Sequence, residues 1–260
     1  METLYMKLRE QDIAANVILS GDPWRVEILK KYLKNPKKIG FHREFNTYTG
    51  LYKDVPVTIT STGIGAPSAA IAMEELYQSG MKVSVRMGTI MTLDKNMLGD
   101  FIIPTACVRN ERTSTTYVDK AYPAVANFNL VDSLNHAVAE AQAHYHNGVI
   151  CSMDGFYSMM HESKLGKELD FDYYRTFEKL KKNRILGVDM ESSCILTLGQ
   201  LMGIQTSVLT LATVSSNLQQ QMSVDNRTAA EDLLCRIALE GIYIHDRRLQ
   251  DDASNEIGRK

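Results

Sequence analysis

Short apolar runs alternate with helix-period segments along nearly the whole chain, and this alternation most narrows the folds open to it. Strand-like runs are read at Val17–Leu19, Thr47–Tyr52, Val57–Thr60, Val83–Met87, Asp100–Ala106, Gly148–Cys151, Ile185–Val188 and Ser207–Thr213. Helical spacing is read at Val26–Leu33, Pro67–Ser79, Val131–Ala143, Glu191–Leu201 and Asn226–Arg247. Strands that alternate with helices need connections long enough to cross a sheet, which predicts an α/β fold with a central mixed, largely parallel sheet flanked by helices. No linker, composition shift or repeat divides the chain. A single domain over residues 1–250 is therefore expected, with 251–260 ("DDASNEIGRK") as a frayed tail. The charged, aromatic stretch from Ser158 to Arg184 reads as a partly helical insertion of the kind that covers a site on a rigid frame.

The bulk numbers exclude some functions. The chain has 260 residues, 44% hydrophobic and 23% charged, enough apolar material for a large core. A formal net charge of −2 leaves no basic excess for a nucleic-acid backbone. The cluster Lys30, Lys31, Lys34, Lys37 and Lys38 reads as a solvated helix face running into a loop. Cys107, Cys151, Cys194 and Cys235 form no CxxC pair, which gives no hint of zinc and suggests a reducing compartment. The N-terminus mixes charges before its first apolar run and no run approaches membrane-spanning length, so a soluble cytoplasmic protein is expected.

Polar clusters fall where strands are expected to end, the place where ligands collect in such sheets. After Val17–Leu19 comes "GDPWR": a turn, a proline at the helix start and Arg25 on the first helical turn. Free backbone N–H groups, a positive dipole end and a planar guanidinium together suit an anion. The same stretch is also what an ordinary strand-to-helix connection with a solvent-facing arginine looks like. "STGIGAPS" (Ser61–Ser68), "RMGT" (Arg86–Thr89), "DMES" (Asp189–Ser192) and "SSN" (Ser215–Asn217) repeat the pattern at other strand ends. Arg86, at the end of an interior strand, needs an anionic partner, either a bound ligand or an internal carboxylate. Two arginines at one strand–turn–helix junction would bind something of phosphate size.

In order and separation, "GDPWR", "FHREFNTYTG", "STGIGAPSAAIAMEEL", "VRMGT" and "GVDMESS" resemble the nucleoside phosphorylases of the purine and uridine phosphorylase superfamily. The likeness runs from about residue 5 to 247 and is closest to the uridine phosphorylase branch. It implies phosphate-dependent cleavage of a ribonucleoside to free base and ribose 1-phosphate, with inorganic phosphate as co-substrate and no resident cofactor. By motif, it implies that Gly21, Arg25, Arg86 and Thr89 bind phosphate. Arg43 of "HREF" resembles an arginine lent by a neighbouring subunit, so a homodimer is the smallest expected working unit and a hexamer an option. Met190 and Glu191 match ribose contacts, Tyr5 stands where relatives place a histidine near the ribose, and Phe156 matches an aromatic near the base. Arg86 and Glu191 are the expected catalytic pair. Glu44, Ile64 and Ser68 match positions where uridine phosphorylases hold potassium, a weaker expectation than no metal.

The base-reading positions depart from the family. Ser216 stands where 6-aminopurine phosphorylases have an aspartate and cannot protonate a purine as that acid does. Where the uridine branch has a glutamine and arginines, this chain aligns Met160, Glu162 and Asn217, and Glu162 offers acceptors only. Ile90 and Met91 replace a small pair. Three readings follow: an active phosphorylase with an altered base site, a weak or silent nucleoside-binding paralogue, or a nucleosidase using water. The retained Arg25, Arg43, Arg86 and Glu191 favour the first, because buried charges are costly without a ligand.

Overall fold

Strand β1 (Asn16–Ser20) is buried along its whole length, and β5 (Val83–Thr92) along nearly all of it. Strands covered on both faces are what a parallel sheet between helical layers requires. The computed structural model describes residues 2–216 and 220–257. Along the chain β1 is followed by α1 (Pro23–Leu29), β2 (Lys34–His42), β3 (Phe45–Tyr52), β4 (Val55–Ser61), α2 (Ala66–Gln78) and β5. Next come β6 (Phe101–Asn110), β7 (Ala124–Val125), α3 (Phe128–Glu140) and β8 (Tyr145–Met153). The remainder is α4 (Lys164–Glu168), α5 (Tyr173–Lys182), β9 (Gly187–Asp189), α6 (Ser192–Leu201), β10 (Gln205–Ser215) and α7 (Val224–Ile257).

The expected mixed α/β architecture is present. β1 pairs in parallel with β4 and β5, β5 with β10, β6 with β8, and β8 with β9. Antiparallel contacts join β2 to β3, β3 to β4, β10 to β6 and β5 to β9. The ring of pairings β5–β10–β6–β8–β9–β5 closes one half of the sheet on itself, and β1, β4, β3 and β2 extend it as an open wing. Alternation along β1 divides the core. Ile18 packs with Val26 and Leu29 of α1, Leu134 of α3 and Ile237 of α7. Val17 and Leu19 pack with Met73 of α2 and Ile195 of α6.

Two segments differ from expectation. Lys34, Lys37 and Lys38 lie in β2, an exposed edge strand, not in a helix-to-loop passage. An edge strand needs no apolar alternation, and lysines with Pro36 guard its open side against further pairing. The last helix runs to Ile257, through much of the stretch expected to fray, because neither Gly nor Pro interrupts it between Ile242 and Ile257. Among the described residues no helix is long and apolar enough to cross a membrane.

Candidate active site

The carboxyl ends of β1, β4, β5 and β10 open on one cavity of about 720 Å³. β1 stops at Ser20, and Asp22 then caps α1 by accepting the Trp24 N–H at 2.9 Å, with Pro23 opening the helix. This cap places Arg25 in the cavity wall with only 6% of its surface exposed. Arg25 Nη2 pairs with Glu231 Oε1 of α7 at 3.2 Å, while its Nε is buried with no partner among the described residues. Burial pushes the Glu231 carboxyl up, but Arg25 and Arg227 outweigh it and hold the group below its ordinary range.

β4 ends in Ser61, and the turn Thr62–Gly65 leads into α2. Gly63 has φ +70°, and a Cβ there would lie 2.8 Å from Glu44 Cγ, so both conformation and space require glycine. The Gly65 N–H donates to Glu191 Oε1 at 2.6 Å. From β5, Arg86 is 3% exposed. Its Nε donates to Asp189 Oδ2 at 3.3 Å and Ser192 Oγ at 3.2 Å. Its Nη2 meets Asp189 Oδ2 at 3.2 Å and donates to Glu191 Oε2. Nη1 is buried and has no partner among the described residues. Desolvation opposes the Arg86 charge, but Glu191 and Asp189 more than compensate and its pKa is raised. Burial pushes the Glu191 carboxyl up, Arg86 opposes that, and the neighbouring Asp189 charge adds to it.

The cavity brings together Gly21, Arg25, Arg86, Thr89, Phe156, Met160, Met190 and Glu191, eight of the residues singled out in the sequence. Its apolar end is walled by Ile90, Met91, Phe156, Met160 and Val214. The turn Phe156–Met160, which runs into the inserted segment, supplies part of that wall, and α5 supports it: Tyr173 Oη donates to the Tyr157 carbonyl at 2.8 Å.

Other expected residues lie elsewhere. Arg43 is exposed at the β2–β3 turn with φ +55°, its guanidinium 5.2 Å from the centre of the Tyr5 ring. Tyr5 is thus brought to Arg43 and not to the cavity, and its backbone N–H is held by Glu75 Oε1 at 2.8 Å. Glu162 is exposed beside Lys167 at 3.3 Å, because the chain leaves the cavity after Met160 toward the Ser163 cap of α4. Ser216 lines a separate depression with Lys95, Lys181 and Arg184, carried there as Ser215 turns back onto Gln220. Asn217 falls outside the described residues. Ser68 Oγ donates to Glu44 Oε1 at 2.7 Å, and Ile64 stands 79% exposed at the cavity rim.

Two residues packed on Arg86 were quoted in the sequence only as members of strand-end clusters, with no role of their own. Asp189 grips Arg86, and its only signal was an acid three residues before Ser192 at a helix start. Gly88 leaves room for Arg86: a Cβ there would lie 3.2 Å from Arg86 Nη2. A glycine inside an interior strand was the available sign.

With this geometry in hand, comparison with known proteins is informative. The phosphorylase superfamily profile matches residues 16–242, and the chain belongs to that family. It is 37% identical to the uridine phosphorylase of Thermococcus kodakarensis over 195 residues, 75% of this chain and 70% of that one. It is 30% identical to the guanosine phosphorylase of Halorubrum lacusprofundi, over 82% of this chain and 83% of the relative. The crystal structure of uridine phosphorylase from Vibrio fischeri ES114 superposes with a TM-score of 0.81 at 31% identity, covering 93% of this chain and 97% of that one.

Proposed function

We propose that this chain is a nucleoside phosphorylase in which inorganic phosphate attacks C1′ of a ribonucleoside, releasing the free base and ribose 1-phosphate. One observation carries the reading. Two buried guanidinium groups line one cavity and each keeps an N–H with no partner among the described residues, Arg25 Nε and Arg86 Nη1. Buried donors left unmatched in a protein interior are costly, and a phosphate between them would satisfy both. Thr89 and the backbone at Gly21 lie on the same wall and add donors. Glu191, fixed by Gly65 and Arg86, accepts from ribose hydroxyls, and Met190 packs on the sugar. Breaking the glycosidic bond leaves positive charge on the sugar ring, which the adjacent phosphate anion stabilises. The base leaves from the apolar end, where Phe156, Met160, Ile90 and Met91 select it by shape and stacking. Uridine is the substrate favoured by most of the likeness.

The charge balance supports a second copy in the working enzyme. Arg25, Arg86 and Arg227 face Asp189, Glu191 and Glu231, so the cations here are already matched one for one by carboxylates and a phosphate anion calls for a further cation. Arg43, exposed and stacked on Tyr5, is available to supply a further guanidinium to the cavity of a neighbouring subunit. Glu44 and Ser68, next to that turn, offer hard oxygen donors that fit a potassium ion, which would offset the Glu44 charge there.

The test is a panel of uridine, thymidine, inosine, guanosine and adenosine with and without phosphate. Free base from at least one nucleoside, dependent on phosphate, is expected. Release at the same rate without phosphate identifies a nucleosidase, and ligand-induced thermal stabilisation without any release identifies a silent binder.

A further inference from the structure

Asp189 takes no place in the reaction described above, yet it is the most heavily bonded carboxylate near the cavity. It is 4% exposed. Its Oδ2 accepts from Arg86 Nε at 3.3 Å, lies 3.2 Å from Arg86 Nη2, and accepts from the Ser192 hydroxyl at 2.5 Å and the Ser192 N–H at 3.1 Å. Its Oδ1 accepts from the Ser152 hydroxyl at 2.6 Å. Ser152, fully buried at the end of β8, accepts the Ser193 N–H at 2.9 Å on one lone pair, and its own proton goes to Asp189 because a carboxylate can only accept.

One carboxylate therefore holds two things at once. It fixes the guanidinium on β5, and it caps the first turn of α6, the turn that begins beside Glu191. We infer that Asp189 is a positioning residue that sets the separation between the phosphate-binding Arg86 and the ribose-binding Glu191, and that Ser152 holds it in register. With Nε and Nη2 pinned, Arg86 presents only Nη1 to the incoming anion, in a single orientation. Glu191 is held from its other side by the Gly65 N–H, so the sugar and the phosphate meet at a distance fixed by the protein. The inference rests on the phosphorylase reading.

The competing role is simple neutralisation of Arg86, and the two roles predict opposite signs. If Asp189 only lowers the positive charge, Asp189→Asn tightens phosphate binding. If it positions Arg86, the same change frees the fork and weakens binding. The experiment is phosphorolysis of uridine, or of whichever nucleoside the panel identifies, over a phosphate series, with wild type, Asp189→Asn and Ser152→Ala. Calorimetric titration with inorganic phosphate accompanies it. For Asp189→Asn we expect the KM and Kd for phosphate to rise about tenfold or more and kcat to fall about 10–100-fold, while nucleoside KM moves less than about threefold. Ser152→Ala, which removes only the outer hold, is expected to shift the same quantities in the same direction by about 3–10-fold. Loss of a helix cap alone lowers Tm without separating phosphate KM from nucleoside KM. Unchanged or tighter phosphate binding with unchanged kcat in Asp189→Asn overturns the inference. Should that variant not fold, wild-type kcat and phosphate KM in Ser152→Ala overturn it instead. A wild type that releases no base refutes the phosphorylase reading, and the phosphate titrations then still decide whether Asp189 orients Arg86.

Discussion

At the end of the cavity proposed to take phosphate and ribose, side chains are placed by the ends of central strands and held by several fixed partners: Arg86 by Asp189, Ser192 and Glu191, Glu191 by Gly65, Arg25 by Glu231. At the base end the wall is shared between the strand residues Ile90, Met91 and Val214 and one turn carrying Phe156 and Met160, which packs with Tyr173 and Phe177 of α5. The first half is a polar lattice on a rigid frame, the second an apolar surface built only in part on that frame and completed by an appended turn. Chemistry common to a family demands angles and distances that only over-determined groups keep. An apolar wall selects a base by shape alone, which a change of side chain alters by about 1–3 kcal/mol per group. Relatives of comparable identity named for uridine and for guanosine fit that division.

The sharpest way to break the contrast is at the arginines. Arg86→Ala is expected to lower phosphorolysis by about 10²–10³ or more. It also leaves Asp189 and Glu191 buried without their cation, which should cost about 3–5 kcal/mol of stability. Arg25→Ala separates the two effects. Its partner Glu231 keeps Arg227 at 2.9 Å, so the fold should survive while phosphate KM rises steeply. Steady-state kinetics beside thermal melts of both variants check this, and near-native turnover in Arg25→Ala would contradict the phosphate role.

Phe156→Ala probes the other end. The ring stacks on His161 at 5.6 Å with planes 8° apart and meets Tyr157 edge-on, so its loss leaves an apolar gap beside the base. Stacking on an aromatic is worth about 1–3 kcal/mol per base, so nucleoside KM should rise about tenfold while phosphate KM stays put. Ratios of kcat/KM among the five nucleosides should shift more than any single rate. A change in phosphate KM as large as that in nucleoside KM would show the two ends to be one coupled unit.

The same division explains what could be read from the sequence. The junction "VILSGDPWR" was legible because a buried strand, a Gly-Asp-Pro turn and a helix start each carry local signals, and together they fix where Arg25 lies. "VRMGT" and "DMES" were legible as strand ends, but that Asp189 would grip Arg86 depends on β9 lying beside β5, a pairing no local pattern announces. Strand β2 was hidden because an edge strand of lysines lacks alternation. Glu162 and Ser216 were misplaced for a different reason. Each sits two residues beyond the last cavity-lining position, Met160 or Val214, and a turn after that anchor is enough to carry a side chain out of the cavity.

The smallest expected effect concerns the frame beneath the polar half. His245 of α7 is buried, with Nε2 2.5 Å from Gln205 Oε1 at the start of β10, the strand that runs up to Thr213 and Val214 in the cavity wall. Burial lowers its pKa, Arg248 adds to the depression, and Asp246 and the Asn129 backbone oppose it. A folded histidine that resists protonation binds fewer protons than its unfolded counterpart once pH falls below about 6.5. Its contribution to stability is thus complete above that value and is lost as pH drops through it toward the lower folded pKa. Acidification should accordingly loosen α7 and the start of β10 before it touches the insert. Amide exchange at pH 7.5 and pH 5 reads this directly: protection should fall near Gln205 and His245 while α5 is unchanged. His245→Gln should flatten that pH dependence, since glutamine keeps hydrogen-bonding capacity toward Gln205 and cannot titrate. Earlier loss of protection in α5 than in β10 would mean that the appended half responds to acid first and that the frame is not the pH-sensitive part.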